Sequence, residues 1–281
     1  MLIIADSGST KTTWSLVQAG NEDIKTVVTS GINPMYQDEE NILMLLNKEF
    51  PGRPEEPADI YFYGAGCINN GVNITVSAAL SKFFNCVSPH VDTDLKAAAR
   101  ALCQHEPGIA CIIGTGSNSC FYDGREIVKN VSPLGYMLGD EGSGAVIGRK
   151  LIADLLKNQL PVSVKDKFFS TYDLKPHEIM ENVYKKPFPN RFLAQFTRFI
   201  YDNPEEASLK QIVKSSFHEF FNRNISQYPE ARHMAIHFTG SVAYYFQILL
   251  KETAGDLGYQ TGRITQSPSE DLVKYHIHNN L

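Results

Sequence analysis

The chain has 281 residues, 43% of them hydrophobic and 20% charged, with a formal net charge of −5 at pH 7. That length exceeds what one core commonly serves and points to two domains, while the acidic balance argues against a nucleic-acid or anionic-membrane surface. Five cysteines (Cys67, Cys86, Cys103, Cys111, Cys120) without CxxC spacing point to reduced, cytoplasmic thiols rather than a metal or disulfide scaffold.

Residues 2–6 read as a strand from the outset, without the basic segment and apolar run of a signal peptide. The turn Ser7-Gly8-Ser9-Thr10 leads into a second strand over 11–17, and β-branched content marks a third over 24–29. Gln37-Asp38-Glu39-Glu40 opens a helix that runs to Phe50, with acidic residues favourably placed in its first turn. A strand over 59–63 feeds Gly64-Ala65-Gly66, a helix covers 74–84 and a short strand 85–91. After Asp92-Thr93-Asp94 the strong helix formers of 95–102 follow. This βββαβαβα order closes near Pro107.

A second hairpin restarts the order: the strand 109–113, then a glycine-rich turn with Gly114-Thr115-Gly116, then a shorter strand-like piece over Cys120-Phe121-Tyr122. Setting Gly8 on Gly116 places Ser7 on Thr115 and Ser9 on Ser117. Two similar hairpins opening two halves imply a duplicated α/β domain with ligand held between the halves. The expected boundaries are 1–107 and 108–266, with the helix of 267–281 packing back on the first lobe. The second half adds helical insertions, with helices at 145–156, 191–201 and 209–225 and an irregular to helical segment over 161–189. A strand over 234–238, a helix to Lys251 and a strand over 263–265 follow. The last helix starts at Ser267-Pro268-Ser269-Glu270 and runs to about Tyr275. The apolar stretch 235–250 is broken by His237, Thr239, Gly240, Ser241 and Gln247, so it reads as buried rather than membrane-spanning.

The chemistry concentrates at glycine-rich turns. A Walker loop is excluded, because Gly8-Ser9-Thr10-Lys11-Thr12 has Thr10 where that motif needs glycine. The hairpins suit phosphate by another geometry, through backbone amides with Ser7, Ser9, Thr10 and Lys11. Asp6 suits a water-mediated Mg²⁺ contact. Asp94, at a strand-to-helix junction, is either a helix cap, a role Thr93 serves equally well, or a base for an attacking hydroxyl, with Asp92 as competitor. In Gly135-Tyr136-Met137-Leu138-Gly139-Asp140-Glu141-Gly142-Ser143, capping by Ser143 leaves both carboxylates free for a polyhydroxylated ligand. Thr239-Gly240-Ser241 is a further strand–glycine–helix turn suited to a phosphate or an adenosine. His276 and His278 read as a surface tail, and His237 as a satisfied core residue.

Five segments in this order carry a resemblance: Asp6-Ser7-Gly8-Ser9-Thr10-Lys11-Thr12, Gly31-Ile32-Asn33-Pro34, Thr93-Asp94-Leu95-Lys96-Ala97-Ala98, Gly114-Thr115-Gly116-Ser117-Asn118 and Gly139-Asp140-Glu141-Gly142-Ser143. Together they resemble the N-acetylglucosamine kinase family of the actin-like sugar kinase superfamily, grouped with the BadF/BadG-type ATPases. The resemblance implies two ribonuclease H-like (actin-like ATPase) domains with a cleft where ATP, Mg²⁺ and an amino sugar meet. It implies Asp94 as general base for the sugar 6-hydroxyl and Asp6 near Mg²⁺. Ser7, Gly8, Ser9, Thr10, Lys11, Gly114, Thr115, Gly116, Gly240 and Ser241 would lie at ATP. Asn33, Ser117, Asn118, Gly135, Tyr136 and Asp140 would lie at the sugar. Other readings stay open: a kinase of a muramic acid derivative, or an actin-like module using ATP as a switch. A third is an ATPase that drives a partner, like the activators of 2-hydroxyacyl-CoA dehydratases. No nucleic acid or membrane partner is expected, and a homodimer is left open.

Overall fold

A computed structural model describes residues 1–8, 10–18, 24–53, 59–67, 70–86 and 88–280, without the side chains of Asn70, His278, Asn279 and Asn280. The chain divides into two compact units. The first is Met1–His105 with Gly124–Glu126 and Pro268–Leu281, and the second is Glu106–Asp123 with Ile127–Ser267.

In the first unit β1 (Leu2–Ser7), β2 (Lys11–Val17) and β3 (Ile24–Ser30) form an antiparallel meander. Helix α1 (Glu39–Glu49), β4 (Asp59–Gly64), α2 (Asn70–Phe84), β5 (His90–Thr93) and α3 (Asp94–Cys103) follow, and β4 and β5 extend the sheet in parallel. The strand order is β3-β2-β1-β4-β5. Trp14 centres one face: its ring meets Phe50 edge-on at 5.5 Å, and its indole N–H donates to Thr29 Oγ1 at 3.0 Å. A buried Trp needs that partner.

The second unit opens with β6 (Gly108–Ile113), β7 (Ser117–Tyr122) and β8 (Ile127–Val131). Its helices are α4 (Gly135–Leu138), α5 (Gly144–Leu156), α6 (Val162–Tyr172), α7 (Pro176–Tyr184), α8 (Pro189–Ala194), α9 (Thr197–Tyr201) and α10 (Ala207–Arg223). Then come β9 (Ile236–Thr239), α11 (Ser241–Tyr245), α12 (Gln247–Asp256) and β10 (Thr261–Thr265). The sheet order β10-β9-β6-β7-β8 repeats the first topology, with an antiparallel meander continued by two parallel strands. These are the two ribonuclease H-like domains of the expected α/β class. Phe217, Phe220 and Phe221 on α10 are buried against the sheet beside Phe238 of β9.

Finally α13 (Ser269–Asn280) returns to the first unit and packs Leu272 and Val273 on Ala97 and Ala101 of α3. It extends past the expected end at Tyr275. His276 is a core residue rather than part of a surface tail: it is 3% exposed, and its Nε2 lies 2.8 Å from Tyr63 Oη. Burial pushes its pKa down to about 3, with Arg100 adding to the effect. Lys96, buried on α3, forms an ion pair with Glu126.

Several local expectations needed correction. The strand read over 85–91 lies at His90–Thr93, where pairing with Tyr61–Gly64 of β4 decides it. The helix expected over 191–201 is divided into α8 and α9, and the one after Ser241 breaks at Phe246. Strand β8 and the one-turn α4 were not anticipated; β8 is an edge strand defined only by its pairing with β7. The hairpins also match in a different frame. Ser7 ends β1 as Ile113 ends β6, and Lys11 opens β2 as Ser117 opens β7, so Gly8 corresponds to Gly114 rather than Gly116.

Candidate active site

The parallel strands of the first unit bring its chemistry to one sheet end. In register, Asp6 lies beside Tyr63 and Tyr63 beside Asp92; one residue on, Ser7 lies beside Gly64 and Gly64 beside Thr93. Strand alternation puts these two rows on opposite faces. Asp6 accepts a hydrogen bond from Ser269 Oγ at 3.2 Å. Ser7 is fully buried, and its hydroxyl donates to Ile32 O at 2.9 Å and accepts from Ile32 N at 3.0 Å. Those two bonds fix the loop that carries Asn33. Asn33 Oδ1 accepts from Met35 N at 2.9 Å, and a Cβ on Gly66 (φ +88°) would fall 2.3 Å from that oxygen. Gly66 therefore lets Asn33 come this close. Gly8, Thr10 and Lys11 are exposed at the hairpin, and Ser9 lies outside the described residues.

At the start of α3 the choice between caps is settled. Thr93 is the N-cap, its hydroxyl accepting from Lys96 N at 3.0 Å. Asp94 is the first helical residue, half-buried, with its pKa pushed up to about 6 by burial against the opposing pull of the Leu95 and Asp94 amides. Behind it Cys67 is buried, its thiol pushed up to about 12 by burial and by the charges of Asp94 and Asp92. Asp92 Oδ1 accepts from Thr93 N at 2.7 Å.

In the second unit the β6–β7 turn is joined to the start of α5. Gly144 N donates to Gly114 O at 2.8 Å and Ala145 N to Thr115 O at 3.0 Å, while Ser143 caps the helix by accepting from Val146 N. Asp140, left-handed at φ +52°, accepts from Ser117 N at 3.3 Å, and a Cβ on Gly116 would sit 3.1 Å from its Oδ2. Burial pushes Asp140 up to about 6, with the Glu141 charge adding and the Ser117 amide opposing. Glu141 is not free as expected. It is buried, and it pairs with Arg223 and accepts from Asn224. The Ser117 hydroxyl donates to Glu141 O at 2.8 Å. Asn118 Oδ1 accepts from Ser119 N and Asn130 Nδ2, each at 2.9 Å. Gly135 and Tyr136 lie on α4, where the Tyr136 carbonyl accepts from Arg149.

Gly240, at φ +117°, turns β9 into α11, and Ser241 is exposed beside a cavity of about 150 Å³ lined in part by Arg198, Tyr201, Tyr245 and Phe246. So Asp6, Asn33 and Asp94 gather in one unit, and Gly114, Thr115, Gly116, Ser117 and Asp140 gather in the other. Gly66, Cys67, Arg223, Asn224 and Ser269 were not among the expected site residues. Only Gly66 carried a signal, as part of a glycine pair directly after a strand.

No family model matches the chain, and no curated protein does. Among solved structures, the proposed N-acetylglucosamine kinase of Porphyromonas gingivalis is 44% identical, with a TM-score of 0.93 over 100% of this chain and 99% of that one. This chain belongs to the N-acetylglucosamine kinase family. It is an ATP-dependent sugar kinase. A proposed N-acetylglucosamine kinase of Chromobacterium violaceum (TM-score 0.72, 16% identity, 98% of each chain) shares its fold. So does a ROK-family glucokinase of Streptomyces griseus in complex with glucose and AMPPNP (TM-score 0.57, 12% identity, 98% of this chain and 97% of that one).

One stability prediction for the kinase follows from the β9 turn. A Cβ at Gly240 would fall 2.4 Å from Ile113 O, in a conformation side chains rarely adopt. Gly240→Ala is expected to cost about 3 kcal/mol or more. Ser241→Ala, at an exposed position, should stay within about 0.5 kcal/mol of the parent in urea unfolding.

Proposed function

We propose that this sugar kinase transfers the γ-phosphoryl group of ATP to an amino sugar, N-acetylglucosamine first, at its 6-hydroxyl. The observation that carries the reading is Asp94: Thr93 takes the capping role, and the carboxyl is held near 6, within reach of a working pH. A base so poised accepts a proton efficiently. The sugar oxygen forms the new bond to γ-phosphorus, the bond from that phosphorus to the β,γ-bridging oxygen breaks, ADP leaves and Asp94 takes the hydroxyl proton. Positioning supplies much of the acceleration. Asn33, Ser117, Asn118, Gly135, Tyr136 and Asp140 hold the sugar. Gly8, Thr10, Lys11, Gly114, Thr115 and Gly116 address the phosphates, Ser7 supporting its loop from within. Gly240 and Ser241, with the aromatic-lined cavity beside them, take the adenosine.

Mg²⁺ fits this donor set. Mg²⁺ ordinarily uses one or two carboxylates with phosphates and water, and Asp6 places one carboxylate near the hairpin end of β1. Asp6 would hold it through water, and the ion would neutralise charge on the phosphates. The partner-driving alternative would need paired cysteines able to hold an iron–sulfur cluster across a dimer, as in the activators it resembles, and burial disfavours it: Cys111 and Cys120 are fully buried in β6 and β7. The test is ADP release from ATP and Mg²⁺ over a panel of N-acetylglucosamine, N-acetylmuramic acid and glucose. The highest kcat/KM is expected for N-acetylglucosamine. A basal ATPase that no sugar stimulates would sink the proposal.

A further inference from the structure

We propose that the C-terminal end of α10 clamps the sugar-binding loop, with Arg223 and Asn224 acting through the buried Glu141 as positioning residues for Asp140. The inference rests on the reading that Asp140 contacts the sugar.

Four contacts tie the loop to α10 and β7. Arg223 Nη1 lies 3.0 Å from Glu141 Oε1, and Asn224 Nδ2 donates to Glu141 Oε2 at 3.1 Å. Gly142 N donates to Ser216 Oγ at 3.2 Å, and the Ser117 hydroxyl holds the Glu141 carbonyl from β7. Ser216, Phe220, Arg223 and Asn224 follow helical spacing, so they line one face of α10. The loop lies hard against that face: a Cβ on Gly142 (φ +77°) would be 3.1 Å from Phe220 Cβ. Glu141 and Asn224 are 6% and 5% exposed, so both partners are removed from water.

The electrostatics make this an unusual place for a carboxylate. The end of α10 carries the negative pole of its dipole, and a buried charge there is unfavourable unless it is paired. Arg223 and Asn224 together offset that cost. Fixing Glu141 fixes the chain on either side of it, including the left-handed Asp140 whose carboxylate accepts from Ser117 N. A left-handed Asp is tolerated locally but not strongly preferred. The clamp therefore holds Asp140 in one orientation before sugar arrives.

The experiment compares steady-state kinetics of the full chain with those of Arg223→Ala, Arg223→Lys and Asp140→Asn. Arg223→Ala leaves the buried Glu141 with Asn224 alone and is expected to lower the folded fraction, so the comparison is made on KM, which does not depend on that fraction. Arg223→Ala is expected to raise the KM for N-acetylglucosamine roughly tenfold with the KM for ATP unchanged, and Arg223→Lys to recover most of the loss. An unchanged sugar KM in Arg223→Ala, or an equal rise for ATP and sugar, overturns the clamp. If Asp140→Asn itself leaves the sugar KM unchanged, the reading beneath the clamp fails instead.

Discussion

Asp94→Asn is expected to lower kcat by about 10³-fold, near the typical contribution of a positioned general base, while ATP with Mg²⁺ should still bind in calorimetry. Two further readouts separate a lost base from a damaged fold. A base must be ionised, so if Asp94 serves as one, with its pKa raised to about 6, the wild-type rate is expected to fall as pH drops through that value. The stability effect has the opposite sign. Burial raises the folded pKa above the unfolded value, so the ionised carboxylate destabilises the native state at pH 7. That penalty is relieved as pH falls from about 6 toward the ordinary aspartate value of 3.8, because the native state takes up its proton first. Asp94→Asn removes the penalty, so its Tm should exceed that of the wild type at pH 7 and match it near pH 4. An inactive variant with a higher Tm is the signature of a destabilised base. An unchanged kcat would return Asp94 to a structural role.

Asp140→Asn is expected to raise the sugar KM by about 10- to 100-fold, from loss of charge-assisted hydrogen bonds worth about 1.5–3 kcal/mol, and to leave the KM for ATP alone. Asn tolerates the left-handed conformation at this position, so the change isolates charge from backbone strain. A second consequence concerns pH. Asp94 and Asp140 are both pushed up to about 6, and in the proposed mechanism both act as ionised carboxylates in the free enzyme. The acid limb of log kcat/KM for the sugar should approach a slope of 2 in the wild type, since this parameter reports groups of the free enzyme. It should fall to 1 in Asp140→Asn. A wild-type slope of 1 would mean that only one of the two carboxyls matters.

The sequence by itself determined most of the repeated strand-and-helix order, the glycine turns that end β1, β4, β6 and β9, and the resemblance to a sugar kinase family. These are local properties. Apolar periodicity, β-branched runs and glycine punctuation need no knowledge of the distant chain. Tertiary structure decided the rest. Pairing with β4 set where β5 begins, and pairing with β7 made a strand of β8. Thr93 and Asp94 look equally fit to cap a helix in sequence, and the fold gave the cap to Thr93. Glu141 looked free beside Asp140 until Asn224, 83 residues away, was found bonded to it. His276 looked like a tail until Tyr63, 213 residues away, met it in the core. A polar side chain's local sequence says what it can bond to. Which partner arrives depends on long-range packing, and burial then sets whether its charge survives at neutral pH.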